Sequence, residues 1–224
     1  MEERKHIVIL AAGDFPTHPV PLRALQEADF VVCCDSAYRE WKVASEKWPM
    51  ANDFVVIGDG DSLPARDRHQ LGNRYIQVDE QDYNDLHKAV EWATTHYPLP
   101  TTRFTLLGAT GRREDHTLGN ISYLVTFAEE HPNAQIEMLT DHGRFIATTG
   151  HRTYASFPGQ QVSLFSMTPE EPVYGDGLRW PLDGFHARRW WQATLNEALG
   201  TEFSLRTEGW LVVFQTYDPK KSSV

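Results

Sequence analysis

The chain has 224 residues, 41% of them hydrophobic, with two cysteines and a formal net charge of -10 at pH 7. That length holds one large domain or two small ones, each with enough interior to fold without staples. The acidic balance argues against general nucleic-acid binding and suits a cationic substrate. Cys33 and Cys34 are neighbours on an apolar run, so in a strand they point to opposite faces and an ordinary disulfide between them is excluded. Such cysteine usage fits a reducing compartment. The first six residues lead straight into a short apolar run, without a signal peptide's longer apolar segment, and no later run is long enough to span a bilayer. We therefore expect a soluble, cytoplasmic protein.

In chain order, Ile7 to Leu10 reads as a strand ending in Ala11-Ala12-Gly13-Asp14, and a proline-punctuated loop follows through Phe15, Pro16, Pro19 and Pro21. Leu22 to Ala28 is the first expected helix. Phe30 to Cys34 is a second strand, closed by Asp35-Ser36-Ala37, and Tyr38 to Glu46 reads as helix. The third strand, Phe54 to Ile57, stops at Gly58, and Asp59-Gly60-Asp61-Ser62 follows. A buried strand that ends in this way delivers two carboxylates to one sheet edge. Alternate aspartates beside a glycine can converge on Mg²⁺, which takes few protein carboxylates when phosphate supplies other ligands; the same four residues also make an ordinary turn.

Tyr75 to Val78 is a further strand, and Asp79 to Asp85 is an acidic loop after it. Leu86, Ala89, Val90 and Ala93 follow helical spacing, which places Asp82, Asn84 and Asp85 at a helix N-terminus. Asp and Asn cap helices for reasons unrelated to function. Phe104 to Leu107 precedes Gly108-Ala109-Thr110-Gly111-Arg112-Arg113-Glu114-Asp115-His116, and the next helix is expected to bury Leu118, Ile121, Leu124, Val125 and Ala128. A glycine-bearing turn into a helix, with two arginines, can hold phosphates through backbone N-H groups and guanidinium forks; it can equally be a flexible left-handed turn with Arg112 paired to a local carboxylate. Neither the P-loop spacing nor the dinucleotide glycine fingerprint is present. Alternating strands and helices imply a parallel sheet whose carboxyl edge binds ligands, so Asp35, Asp59 and Asp61 should share a rim.

Ile136 to Leu139 ends this half. Beyond Asp141-His142-Gly143, short apolar runs at Phe145 to Thr149, Gln161 to Phe165, Phe203 to Arg206 and Trp210 to Gln215 are separated by Gly and Pro. This rhythm predicts an antiparallel β domain. The expected architecture is an α/β domain over 1–143, Rossmann-like with three layers and a mostly parallel sheet, then a β-sandwich over 144–224. A polar tail from Asp218 to Val224 is expected to fray. Four of the seven tryptophans lie in the second half, and adjacent Trp190 and Trp191, on a strand, would leave one ring facing out to stack on a ligand. The ten histidines show no paired metal-ligand spacing.

Taken together, Asp35-Ser36-Ala37, Gly58 to Ser62, Gln81 to Leu86, Gly108 to His116 with Leu118-Gly119-Asn120, and Gly177 to Leu182 resemble the ordered motifs of the thiamine pyrophosphokinases. The resemblance implies a homodimer that binds thiamine between one subunit's first domain and the other's second. It implies transfer of a diphosphoryl group from ATP to the thiamine hydroxyl, with release of AMP. Carried over residue by residue, Asp59, Asp61 and Asp85 would hold Mg²⁺ with Asp35 nearby. Gln81, Asp85, Asp115 and Asn196 would meet thiamine, and Asp35, Thr110, Arg112, Arg113 and His116 the nucleotide. Asp59, Asp61, Asp85 and Asp115 form the expected catalytic set.

The chain departs from the family pattern in carrying Ser36-Ala37 for Gly-Gly, Gly60 for an aromatic residue, Asn84 for Thr, Arg112 for Gly and Leu195 for Ser. Every aspartate is kept. Two rival readings remain: Ile57 to Ser62 also resembles the nucleophile motif of haloacid-dehalogenase phosphatases, and a non-catalytic thiamine- or nucleotide-binding module would bind without releasing AMP.

Overall fold

The computed structural model describes residues 4–51 and 53–219, so residues 220–224 of the tail expected to fray lie outside the described residues. The chain divides into two compact units, Met1–Asp141 and His142–Val224.

In the first unit, strands β1 (His6–Leu10), β2 (Phe30–Cys34), β3 (Phe54–Gly58), β4 (Tyr75–Gln77), β5 (Arg103–Leu107) and β6 (Gln135–Leu139) form a sheet in the order β6-β5-β1-β2-β3-β4. Every pairing within it is parallel. The continuous apolar runs of these strands follow from that arrangement, because a parallel sheet is covered on both faces. Val8, Leu10, Val31, Cys33, Val56 and Leu107 pack with Leu25 of α1 (Pro19–Gln26), Trp41 of α2 (Ala37–Ser45) and Leu71 of α3 (Ala65–Leu71). The alternate residues Ile7, Ile9, Val32, Cys34, Ile57 and Leu106 are equally buried. They take the opposite face, where α4 (Asp85–His96) lies against β1, β2 and β3. Helix α5 (Glu114–Glu130) lies against β6. Cys33 and Cys34 are both free and buried.

Several elements differ from their sequence expectation, each for a physical reason. Helix α1 begins at Pro19, three residues early, because a first turn does not use the N-H that proline lacks. Helix α3 was unforeseen: it buries only Leu71, so its sequence carries no apolar stripe. Helix α5 buries Asn120, Leu124 and Phe127, whereas Leu118, expected inside, is 51% exposed. The buried stripe is rotated because polar Asn120 belongs to it, which a pattern of apolar residues cannot register.

The second unit contains β7 (Gly143–Ala155), β8 (Gln160–Ser166), β9 (Val173–Asp176), β10 (Leu182–Phe185), β11 (Asn196–Glu197) and β12 (Glu202–Pro219), paired antiparallel throughout. The two separate strands expected around Gly209 are one strand, β12, whose register slips between Thr207 and Leu211. Its first half pairs with β9 and its second half with β8, while β7 accompanies both halves. Tyr154, Val162, Leu164, Val173, Phe203, Leu205 and Val213 share the core between these layers. At the slip, a side chain on Gly209 would run into Thr168, whose hydroxyl accepts from the Trp210 N-H at 2.7 Å. The glycine therefore permits close packing within a continuous strand, where the sequence suggested a break. Trp190 and Trp191 lie in a 3₁₀ turn, and both are exposed, at 40% and 74%. Asp218 and Pro219 continue β12 instead of fraying. Among the described residues no helix is long and apolar enough to cross a membrane.

The rotated face of α5 makes a clear prediction. Phe127→Ala should cost about 3–5 kcal/mol in urea unfolding through the cavity it leaves, whereas Leu118→Ala should stay within about 0.5 kcal/mol of the parent.

Candidate active site

The strand order reverses at β1, whose neighbours are β2 on one side and β5 on the other. Open α/β sheets form their ligand crevice beyond the carboxyl ends of the strands at such a switch point. A cleft of about 300 Å³ lies there, lined by Gly13, Ser36, Ser62, Asp85, Gly111 and Arg112 among others.

One wall comes from the ends of β1 and β5. The Ala11 N-H donates to Leu107 O at 2.8 Å, Gly13 N-H to Gly108 O at 2.6 Å and Asp14 N-H to Thr110 O at 2.9 Å, so the two turns are zipped together beyond the sheet. Gly111 has φ +81°, and a side chain there would meet the Asp14 carboxylate. Arg112 also has positive φ, +57°. A non-glycine residue pays a steric penalty in this left-handed region, and three contacts of the Arg112 guanidinium hold it there. It donates to Ala12 O at 2.9 Å, pairs with Glu40 and lies 3.9 Å from Asp14. Arg112 thus keeps the backbone form that a glycine would adopt and adds a cation to the wall.

The other wall is acidic. Asp35, at the end of β2, is only 2% exposed; its Oδ2 accepts from the Ser62 N-H at 2.9 Å, and its Oδ1 is buried without a partner. Gly58 leaves room for it, since any side chain there would overlap the Asp35 carboxyl. Burial pushes the Asp35 carboxyl above its ordinary value, the Ser62 N-H opposes this, and Asp59 and Asp61 add repulsion. Asp59 accepts from the Asp61 N-H at 3.0 Å and lies 3.4 Å from Gln81 Nε2. The Asp61 N-H is the main cause holding the Asp59 carboxyl below its usual range. Asp85 opens α4, capped by Asn84, whose side chain accepts from the His87 N-H at 3.0 Å. Burial raises the Asp85 carboxyl; Lys88 opposes the rise, and Asp59 and Asp35 reinforce it.

These mutual interactions place Asp35, Asp59, Asp61, Gln81 and Asp85 on one rim. The aspartates are not drawn into a closed cage: among the described residues, the one set of three ligand atoms all within 4.8 Å of one another is formed by His87, Glu91 and Glu130. An open rim with an all-oxygen donor set, a buried carboxylate oxygen lacking a partner and two carboxyls raised by burial and, less, by mutual repulsion fits a hard cation that keeps water and takes phosphate oxygens.

Thr110 and His116 lie in the β5–α5 turn and the first turn of α5, and His116 lines the cleft. Arg113 and Asp115 pair with each other at 2.5 Å in solvent, and hydrogen bonding from Arg113 holds the Asp115 carboxyl down at about 2. Asn196 belongs to the second unit. Its carboxamide accepts from the Trp180 and Glu197 N-H groups at 3.1 and 2.8 Å and donates to Trp180 O at 2.8 Å, so it braces the turn carrying Trp180. Leu195, beside it, has φ +61° and is 63% exposed.

Two residues at this site, Lys88 and Arg68, were not singled out by the sequence, and a third, Asn120, was noted only as part of a motif. Lys88, with its side chain 5% exposed, lies 3.7 Å from Asp85 and donates to Val78 O at 3.3 Å. Its spacing of three from Asp85 on a helix was the available signal. Arg68, on the unforeseen α3, moderates the charge on Asp35. Asn120 donates to Ala109 O at 2.8 Å and accepts from Asn84 at 3.1 Å, linking the β5–α5 turn to the cap of α4.

A switch-point cleft with a cationic turn facing an acidic rim defines a ligand-binding α/β protein with a second, antiparallel β unit. The profile described as "Thiamin pyrophosphokinase, catalytic domain" matches residues 22–138, and that of the "substrate-binding domain" matches residues 143–214. The chain belongs to the thiamin pyrophosphokinase family. It is 33% identical over 142 residues to thiamine pyrophosphokinase 1 of Oryza sativa, 58% of this chain and 52% of that one, so the match spans about half of the relative's length. The thiamin pyrophosphokinase 1 of Caenorhabditis elegans is 28% identical over 108 residues, 46% of this chain and 42% of that one. Among solved structures, thiamin pyrophosphokinase from Candida albicans superposes with a TM-score of 0.77 at 15% identity, covering 96% of this chain and 90% of that one. The Bacillus subtilis enzyme gives 0.75 at 20% identity, over 96% and 100%. These two share the fold.

Asp35→Asn should stabilise the protein at neutral pH by about 1 kcal/mol in urea unfolding, as relief of strained active-site charge commonly does. A carboxyl raised in the folded state binds protons more tightly there, so the parent loses stability as pH climbs above the ordinary 3.8. The advantage of the variant should therefore fade below that pH.

Proposed function

We propose that the chain transfers a diphosphoryl group from ATP to the hydroxyl of thiamine, giving thiamine diphosphate and AMP. The observation that carries this reading is the match of both family profiles, catalytic and substrate-binding, to successive parts of the chain. The hydroxyl oxygen bonds to the β-phosphorus, the bond from that phosphorus to the oxygen of the α-phosphate breaks, and the electron pair leaves with AMP.

Phosphoryl transfer asks a protein mainly to align the nucleophile and neutralise oxygen charge. We assign Asp59, Asp61 and Asp85, with Asp35 behind them, to hold Mg²⁺. Bound there, the ion would neutralise polyphosphate charge and fix its orientation. Thr110, Arg112, Arg113 and His116 would receive the nucleotide at the start of α5, where helix polarity and guanidinium groups favour anions. Gln81, Asp85 and Asp115 would meet thiamine, whose cationic ring suits the acidic rim. Asn196 contributes by fixing the turn that bears Trp180. We assign no general base: Asp85 as a metal ligand would have its basicity lowered by the ion, and Arg113 holds the Asp115 carboxyl low. The exposed Trp180, Trp190, Trp191 and Leu195 support a homodimer in which this face meets the first domain of a second copy to enclose thiamine. Buried, free Cys33 and Cys34 fit a cytoplasmic location.

Family membership sets aside the haloacid-dehalogenase reading of Asp59 as a phosphorylated nucleophile. Purified protein with Mg²⁺, ATP and thiamine should form AMP and thiamine diphosphate in equal amounts. ADP with thiamine monophosphate, or binding without AMP, would overturn the assignment. Asp61→Asn should lower kcat at least about a hundredfold, the scale of losing one preorganised electrostatic group, with an unchanged circular dichroism spectrum; near-normal turnover would remove Asp61 from the metal set.

A further inference from the structure

On the flank of α4 away from its N-terminal aspartate, His87 and Glu91 are one helical turn apart, the spacing that sets two ligands on one face. Helix α5 ends at Glu130 and is closed by His131. The two pairs interlock: His87 Nε2 is 3.2 Å from Glu130 Oε2, and His131 Nε2 is 2.5 Å from Glu91 Oε1. Ligand atoms of His87, Glu91 and Glu130 all lie within 4.8 Å of one another. The His87 ring is fixed before any ligand arrives. It is 6% exposed, stacked on Tyr83 at 4.1 Å and 12°, and packed against Tyr123 and Phe127. The side chains of Glu91 and Glu130 are 43% and 38% exposed, which leaves an entry path.

We propose that His87, Glu91 and Glu130, with His131 adjoining, form a binding site for a divalent transition metal of the Zn²⁺ class, separate from the oxygen-only aspartate rim. Ligation uses neutral imidazole, and in that state the four members carry two carboxylate charges and no cation. A dication balances both. Mixed nitrogen and carboxylate donors suit Zn²⁺ or Co²⁺, whereas Mg²⁺ prefers oxygen alone. Held there, the ion would staple the end of α5 to α4, the helix that begins with Asp85. The proposal does not depend on the diphosphoryl-transfer reading.

Chelator-stripped full-length protein, kept in excess Mg²⁺ so that the aspartate rim is not the readout, should bind one equivalent of Co²⁺ with visible absorption of a nitrogen-ligated, low-coordinate ion. Zn²⁺ should displace it. The Glu91→Gln/Glu130→Gln double variant should bind at least about tenfold more weakly, and unchanged affinity would overturn the proposal. Should that variant fail to fold, imidazole ¹⁵N shifts decide on the parent protein: Zn²⁺ must move the signals of His87 and His131, and titration that leaves both in place rejects the site.

Discussion

The N-terminal unit depends on keeping several carboxylates together at the edge of a parallel sheet. Asp35 and Asp85 are both raised by burial, and each is raised further by repulsion from Asp59. Isolated buried charge is expensive in any protein. Here the cost is moderated by the Ser62 N-H, by Lys88 and by the nearby Arg68. These contacts leave Asp35 Oδ1 without a partner, so the acidic rim keeps unsatisfied capacity for a cation. The remainder of the sheet is a largely apolar scaffold that brings these groups from β2, β3 and α4 to one place.

That scaffold was readable because its signals are local. Parallel strands buried on both faces read as apolar runs, and those of β2, β3 and β5 stop at Asp35, Gly58 and Gly108, so strand ends and rim residues emerged together. Lys88 did not, because a lysine's burial depends on where α4 comes to rest, and spacing alone does not reveal that. The α5 face failed for a related reason: Asn120 sits inside through two hydrogen bonds, and an apolar stripe was the wrong template for a helix that buries an amide. Gly209 misled in the opposite direction, since a glycine that admits a close neighbour looks the same in sequence as one that ends a strand.

The β5–α5 turn shows how a substitution can keep a shape while changing its chemistry. Arg112 adopts the positive φ that a glycine would adopt freely, stabilised by Ala12 O, Glu40 and Asp14. The same side chain therefore both props the turn and lines the cleft. Its contacts tie the turn to the end of β1 and to α2, so an anion recruiting that guanidinium has to compete with carboxylates already in place.

The C-terminal unit is threaded by β12, whose 18 residues serve both layers in turn, with β7 alongside for much of its length. A strand shared in this way cannot slide in one layer without dragging the other out of register. The two layers are thus a single mechanical element, and the turns that carry the exposed tryptophans are mounted on a frame that yields as a whole or not at all.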